Sequence, residues 1–93
     1  MVEVVYEEKN RRSAAYDGEK LVGECDCVEN GKVWTAYHTE VDPAYGRQGI
    51  AARLVASVAQ AARERGVKIV PQCSYVRRLF EKNAEYDGVN AEK

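Results

Sequence analysis

Two dipeptides, Asp17-Gly18 and Asn30-Gly31, constrain this chain more than anything else in it. Asp-Gly and Asn-Gly are favoured centres of two-residue hairpin turns, because both central positions need a positive φ. They divide "SAAYDGEKLVGECDCVENGKVWTAYHTEV" into strands near 12–16, 20–28 and 32–41, an antiparallel meander. "VEVVYEE" alternates weakly near the start and predicts one more strand, at an edge. After Val41 the period changes. Ile50, Leu54, Val58 and Ala61 or Ala62 recur at helical spacing, with Arg53, Ser57, Gln60 and Glu64 toward the other side. Gly66 stops that helix, and Arg63 and Arg65 in its last turn suit the negative end of the helix dipole.

"VKIV" follows at once and reads as a buried strand. Strand, helix and strand in this order predict a right-handed crossover and a parallel pair. A second helix is predicted over about 75–84, with Val76, Leu79 and Phe80 on its apolar side. "AEYDGVNAEK" reads as a docked turn followed by a frayed tail. The fold class is α+β: an antiparallel meander, then helix, parallel strand and helix.

At 93 residues this is one domain, 1–93, with a single core. Hydrophobic residues are 45% and charged residues 31%, the balance of a soluble globular protein. A net charge of −1 argues against a broad basic surface for nucleic acid or anionic lipid. No apolar run reaches membrane-spanning length, and the N-terminus has no signal-peptide layout. Three cysteines do not form the even set of a disulfide-stapled secreted domain, so a reduced, cytoplasmic location is expected.

"HTEVDPAYGRQGIAARLV" carries the first chemical signal. A strand leads into Asp42-Pro43, then a loop with Gly46 and Gly49, then an alanine-rich helix. The N–H groups that open a helix have no partner within it, and with the helix dipole they form an anion site suited to a pyrophosphate. Arg47 adds a positive charge, and Gly49, Ala51 and Ala52 are small enough to let a ligand approach the backbone. The plain alternative is a loop that only starts a helix, since a short glycine pattern is weak alone.

"PQCSYV" carries the second signal. Cys73 follows a strand and precedes a helix. Ligands gather at strand C-termini, and a helix N-terminus favours a thiolate. The competing reading is a small buried hydrophobe. His38, the one histidine, is taken to share a strand face with Ala36 and Glu40. It is structural, a general base for an amine, or an activator of Cys73 across the strand pair. Glu40 is an alternative base. Cys25 and Cys27 share a face, and with Cys73 and His38 they name a Cys3His zinc set. The spacing lacks a Cys-x2-Cys knuckle, so no metal is expected. Trp34 and Tyr37 are core or rim residues, or the lining of a substrate groove.

"RQGIAARLV" resembles the acetyl-coenzyme A loop of the GNAT superfamily of N-acetyltransferases, whose pattern is Gln/Arg-x-x-Gly-x-Gly/Ala. Gly49 and Ala51 match its last two fixed positions. Gly46 falls on the first, with Arg47 next, so the usual order of arginine and glycine is swapped. "HTEV", "GRQGIAARLV", "VKIVPQCSYV" and "EKNAEYDGV" together are similar to small single-domain GNAT-like proteins, often labelled YjdJ-type predicted acetyltransferases. That match spans 38–89, with Asn83-Ala84 where the family often has His-Pro.

The resemblance implies a minimal GNAT-like fold and an acetyl-coenzyme A-dependent N-acetyltransferase acting on a small-molecule or peptide amine. It implies that the pantetheine arm pairs with main-chain groups of Thr39, Glu40 and Val41. The pyrophosphate would sit on Gly46, Arg47, Gln48, Gly49, Ile50, Ala51 and Ala52. Cys73 is the catalytic residue that it points to, and His38 is the catalytic partner that the residue reading adds. Many GNAT enzymes protonate the leaving thiolate with a tyrosine in a Leu-Tyr-Glu-Lys segment. This chain reads "LFEK", so Phe80 supplies no hydroxyl there and Tyr75 is the nearby phenol. The alternative function is a coenzyme A-binding module without turnover.

Overall fold

Both hairpin dipeptides turn the chain where expected in the computed structural model, which describes residues Met1–Lys93. Five strands form one sheet in the order β1 (Val2–Glu7), β2 (Arg12–Asp17), β3 (Lys20–Asn30), β4 (Val33–Val41), β5 (Lys68–Pro71). The first three pairings are antiparallel and β4–β5 is parallel. Helix α1 (Ile50–Arg65) makes the crossover, and α2 (Ser74–Lys82) follows β5. This is the α+β arrangement that the sequence predicts. No helix is long and apolar enough to cross a membrane.

Helix α1 lies across all five strands. Its stripe of Ile50, Leu54, Val55, Val58, Ala59, Ala61 and Ala62 is buried. Leu54 is fully buried, which stabilises by about 1.5–3 kcal/mol on transfer alone. The Ser13 hydroxyl, also fully buried, donates to the Leu54 carbonyl oxygen at 2.7 Å and ties β2 to the helix. The sheet must approach the helix closely here. A Cβ at Gly23 would stand 3.2 Å from both Leu54 Cδ1 and the Glu40 carbonyl oxygen, tighter than packing allows without a shift.

Strand β4 does not alternate simply. Asp26 pairs with His38 but Cys27 pairs with Ala36, so Tyr37 is an extra residue, a β-bulge. Trp34 and Ala36 are buried, Tyr37 and His38 are both exposed, and Thr39 and Val41 turn inward again. His38 therefore does not share the face of Ala36, which corrects the straight period-2 reading. It does share the outer face with Glu40. Trp34 is a core residue, stacked on Tyr6 with centroids 5.4 Å apart, and lines no groove.

The end of the chain also differs from expectation. Ala84–Val89 forms a 3-10 turn that buries Tyr86 and Val89, and Tyr86 stacks on Phe80. Asn90 then makes a parallel bridge to Ile69, and Ala91 N–H donates to the Ile69 carbonyl. The tail is docked on the outer edge of β5 through Asn90, and only Ala91–Lys93 is exposed.

Candidate functional site

The parallel pairing of β4 and β5 ends at Ala36 and Pro71. One more bond, from Cys73 N–H to the Ala36 carbonyl at 2.8 Å, closes the pair, and the strands then part. Beyond the bulge, Tyr37–Val41 has no β5 partner. Val41 near the end of β4 and Tyr75 in the first turn of α2 face one opening. Val41, Tyr45, Gly46, Arg47, Gly49, Ile50, Ala51 and Tyr75 line a groove of about 270 Å³ there. The glycine loop and the cysteine-bearing segment, distant in sequence, thus flank one opening.

Helix α1 starts at that groove without a side-chain cap. Its first N–H groups have no helical acceptors. Gly49 turns the chain into the helix at φ 73°, in the left-handed region that glycine tolerates. Arg47 also adopts φ 65°, an unusual state for a residue with a side chain. Gly46, by contrast, is extended at φ −63° and ψ 158°. The swapped order of glycine and arginine thus puts the left-handed turn on the arginine. Gly46, Arg47, Gln48 and Gly49 are all exposed. Uncapped amides, a free cation and small residues fit the pyrophosphate of a coenzyme A molecule.

Cys73 is the N-cap residue of α2 and is half-buried. Burial pushes its thiol up. The Thr39 hydroxyl and the N–H groups of Val76, Tyr75 and Thr39 outweigh this, and the net direction is down. As a neutral thiol, Cys73 makes no cap hydrogen bond. The helix amides act on the charged form, as expected for a thiolate at a helix N-terminus. Cys73 Sγ lies 3.4 Å from Thr39 Oγ1, and Thr39 Oγ1 lies 3.5 Å from Cys25 Sγ. Cys25 is fully buried, and burial pushes its thiol up to about 11 although the Thr39 contact lowers it. Cys27 is buried too and raised, chiefly by burial.

His38 is placed differently from Cys73. Its Nε2 is 3.0 Å from Glu40 Oε1, on the outer face. That bond raises its pKa, against a small desolvation, and Asp26 adds to the rise. The side chain that reaches Cys73 from β4 is that of Thr39, not His38. Sequence reasoning named Thr39 only for its main chain. The bulge that turns its hydroxyl inward leaves no mark in β4 taken alone. Phe80 is buried, whereas Tyr75 lines the groove with its phenol pKa raised by burial and only partly offset by Arg78.

A family model described as GCN5-related N-acetyl-transferase matches residues 11–89. The chain belongs to this family. Among solved structures it is similar to a GCN5-like candidate N-acetyltransferase from Staphylococcus aureus. That pair is 27% identical with a TM-score of 0.74, over 95% of this chain and 86% of the other. The fold is shared with the ribosomal-protein-S18-alanine N-acetyltransferase of Escherichia coli, at 22% identity and TM-score 0.63, over 77% of this chain and 51% of that one. It is also shared with the PaiA N-acetyltransferase of Thermoplasma acidophilum, solved with coenzyme A, at 16% identity and TM-score 0.60, over 77% and 48%. This GNAT domain thus spans about half the length of the last two. No curated protein matches the sequence.

Proposed function

We propose that this GNAT protein is an acetyl-coenzyme A-dependent N-acetyltransferase that carries the acetyl group on Cys73. The observation that supports this reading most is the position of Cys73. A thiol at the N-cap position of α2, with a lowered pKa, stands where β4 and β5 part, beside the groove of the glycine loop. Coenzyme A is assigned to that groove, with its pyrophosphate on the amides of residues 46–52 and its pantetheine arm along the free edge of Thr39, Glu40 and Val41. Membership of the family supports its use by this chain.

The chemistry has two steps. The Cys73 thiolate attacks the thioester carbonyl, an acetyl–Sγ bond forms, and the bond to the coenzyme A sulfur breaks. The leaving thiolate takes a proton, for which Tyr75 is the groove phenol at hand. One thioester replaces another, so the exchange is close to thermoneutral. A neutral amine then attacks acetyl-Cys73, an amide forms, the Cys73 thiolate leaves, and the ammonium proton is lost to a base. Solvent takes that proton, since His38 and Glu40 lie on the outer face of β4 and not on the face that Thr39 shares with Cys73. The acceptor is a small-molecule or peptide amine that reaches Cys73 on the inner face, opposite the acidic face of Glu24, Asp26 and Glu40.

Intact-mass measurement after incubation with acetyl-coenzyme A tests the first step. One added acetyl group is expected on the wild type and none on Cys73→Ala. An acetyl group that persists in Cys73→Ala overturns the covalent route.

A further inference from the structure

We infer that Thr39 is a positioning residue for Cys73: its hydroxyl, backed by the Cys25 thiol, is the switchable hydrogen-bond donor that holds Cys73 as a thiolate. This deepens the reading above and rests on it for its link to acetyl transfer. The argument begins with geometry. Thr39 Oγ1 lies between two sulfurs, 3.4 Å from Cys73 and 3.5 Å from Cys25. The three come from different elements: Cys25 from β3, Thr39 from β4, and Cys73 from the cap of α2. Cys25 and Thr39 are direct register partners, so the pair is fixed by the sheet. Only the bulge at Tyr37 brings Thr39 to this face.

A hydroxyl offers one donor and two acceptor sites, and its proton rotates freely. With Cys73 neutral, its S–H donates to Thr39 Oγ1 and the Thr39 O–H donates to Cys25 Sγ. When Cys73 loses its proton to solvent, the chain can reverse. The Cys25 S–H then donates to Thr39 Oγ1, and the Thr39 O–H donates to the Cys73 sulfur. No proton changes owner within the chain; two hydrogens reorient. Cys25 is suited to this because its burial keeps it a thiol when Cys73 ionises. A hydrogen bond to a charged sulfur is stronger than one to a neutral sulfur, so reversal favours the thiolate. The amides of Val76, Tyr75 and Thr39 itself also act on the thiolate and are kept in Thr39→Val, and Cys25 is the titratable group facing it through Thr39.

The experiment measures the rate of Cys73 alkylation by iodoacetamide against pH, read by intact mass, with Cys73→Ala as the blank. Thr39→Val keeps the shape and removes the donor. It is expected to move the midpoint upward by about one pH unit, roughly tenfold slower reaction below the midpoint. Thr39→Ser is expected to restore the wild-type profile, which a role in packing alone would not. Cys25→Ala cuts only the second link and is expected to give a smaller upward shift. An unchanged midpoint in Thr39→Val, with the melting temperature retained, overturns the proposal. Should Thr39→Val not fold, an unchanged midpoint in Cys25→Ala overturns the relay by itself. No acetyl donor is present, so the outcome stands even if Cys73 never takes an acetyl group. A clear shift in Thr39→Val together with no acetyl group on the wild type after acetyl-coenzyme A would instead defeat the proposed function and leave this proposal standing.

Discussion

At the scale of the residue, the contrast is between Phe80 and Tyr75. Phe80 occupies the place where many relatives are expected to carry a tyrosine, and it is sealed in the core against Tyr86. Tyr75, five residues earlier on α2 and on a different face, has its ring on the groove with Gly49, Ile50 and Ala51. Burial raises its pKa, so it holds its proton at neutral pH and can donate it. Tyr75→Phe is expected to slow acetyl transfer from acetyl-coenzyme A by about 100-fold, the usual range of a lost general acid. Binding of coenzyme A should change little. Calorimetric titration beside single-turnover kinetics separates the two. A fall in affinity as large as the fall in rate would make Tyr75 a wall of the groove and no acid.

At the scale of the element, the loop between β4 and α1 stores conformational strain beside its cation. Arg47 sits at φ 65°, which costs a non-glycine residue about 1–2 kcal/mol. Such strain persists where surrounding structure enforces it and is frequent at ligand sites. Arg47→Gly relieves the strain but frees the unfolded chain, and the two effects oppose each other. The expected result is a melting temperature that is unchanged or slightly higher, with weaker coenzyme A binding and a shallower dependence of affinity on salt. A clear loss of stability would show that the Arg47 side chain supports the fold. The loop also shows what a sequence can reveal. Its glycines, its helix start and the period of Ile50, Leu54 and Val58 are local signals, and all were legible. The bulge was not, because read straight, "WTAYHTE" alternates and puts Ala36 and His38 on one face. Only the register with Asp26 and Cys27 on β3 shows the extra residue. Docking of Asn90 on Ile69 was hidden for the same reason, since it joins segments far apart in the chain.

At the scale of the whole molecule, the sheet has two unlike faces. One packs on α1. The other carries exposed Val5 and Val28 and a polar network in which Arg12 bridges Glu7 and Glu24, Tyr16 donates to Glu7, and His38 meets Glu40. Asp26 lies within this network and its pKa is raised to about 6. Burial is the largest cause, followed by the hydrogen bond to Glu24 and its charge, with His38 and Arg12 opposing. An unfolded aspartate titrates near 3.9. The folded state therefore binds this proton more tightly, and stability falls as pH rises from about 4 to about 6. His38 acts in the same sense, because its folded pKa is also raised and its contribution is lost as pH rises. Asp26→Asn keeps a donor toward Glu24 and removes the charge. After allowance for solvent screening, it should stabilise the protein by about 1 kcal/mol at pH 7, a rise of some 4–8 °C in melting temperature. At pH 4 the native carboxyl already carries its proton, and the gain should vanish. An equal gain at both pH values would trace it to packing. A gain confined to neutral pH would show that this face holds its acidic charge at the expense of stability.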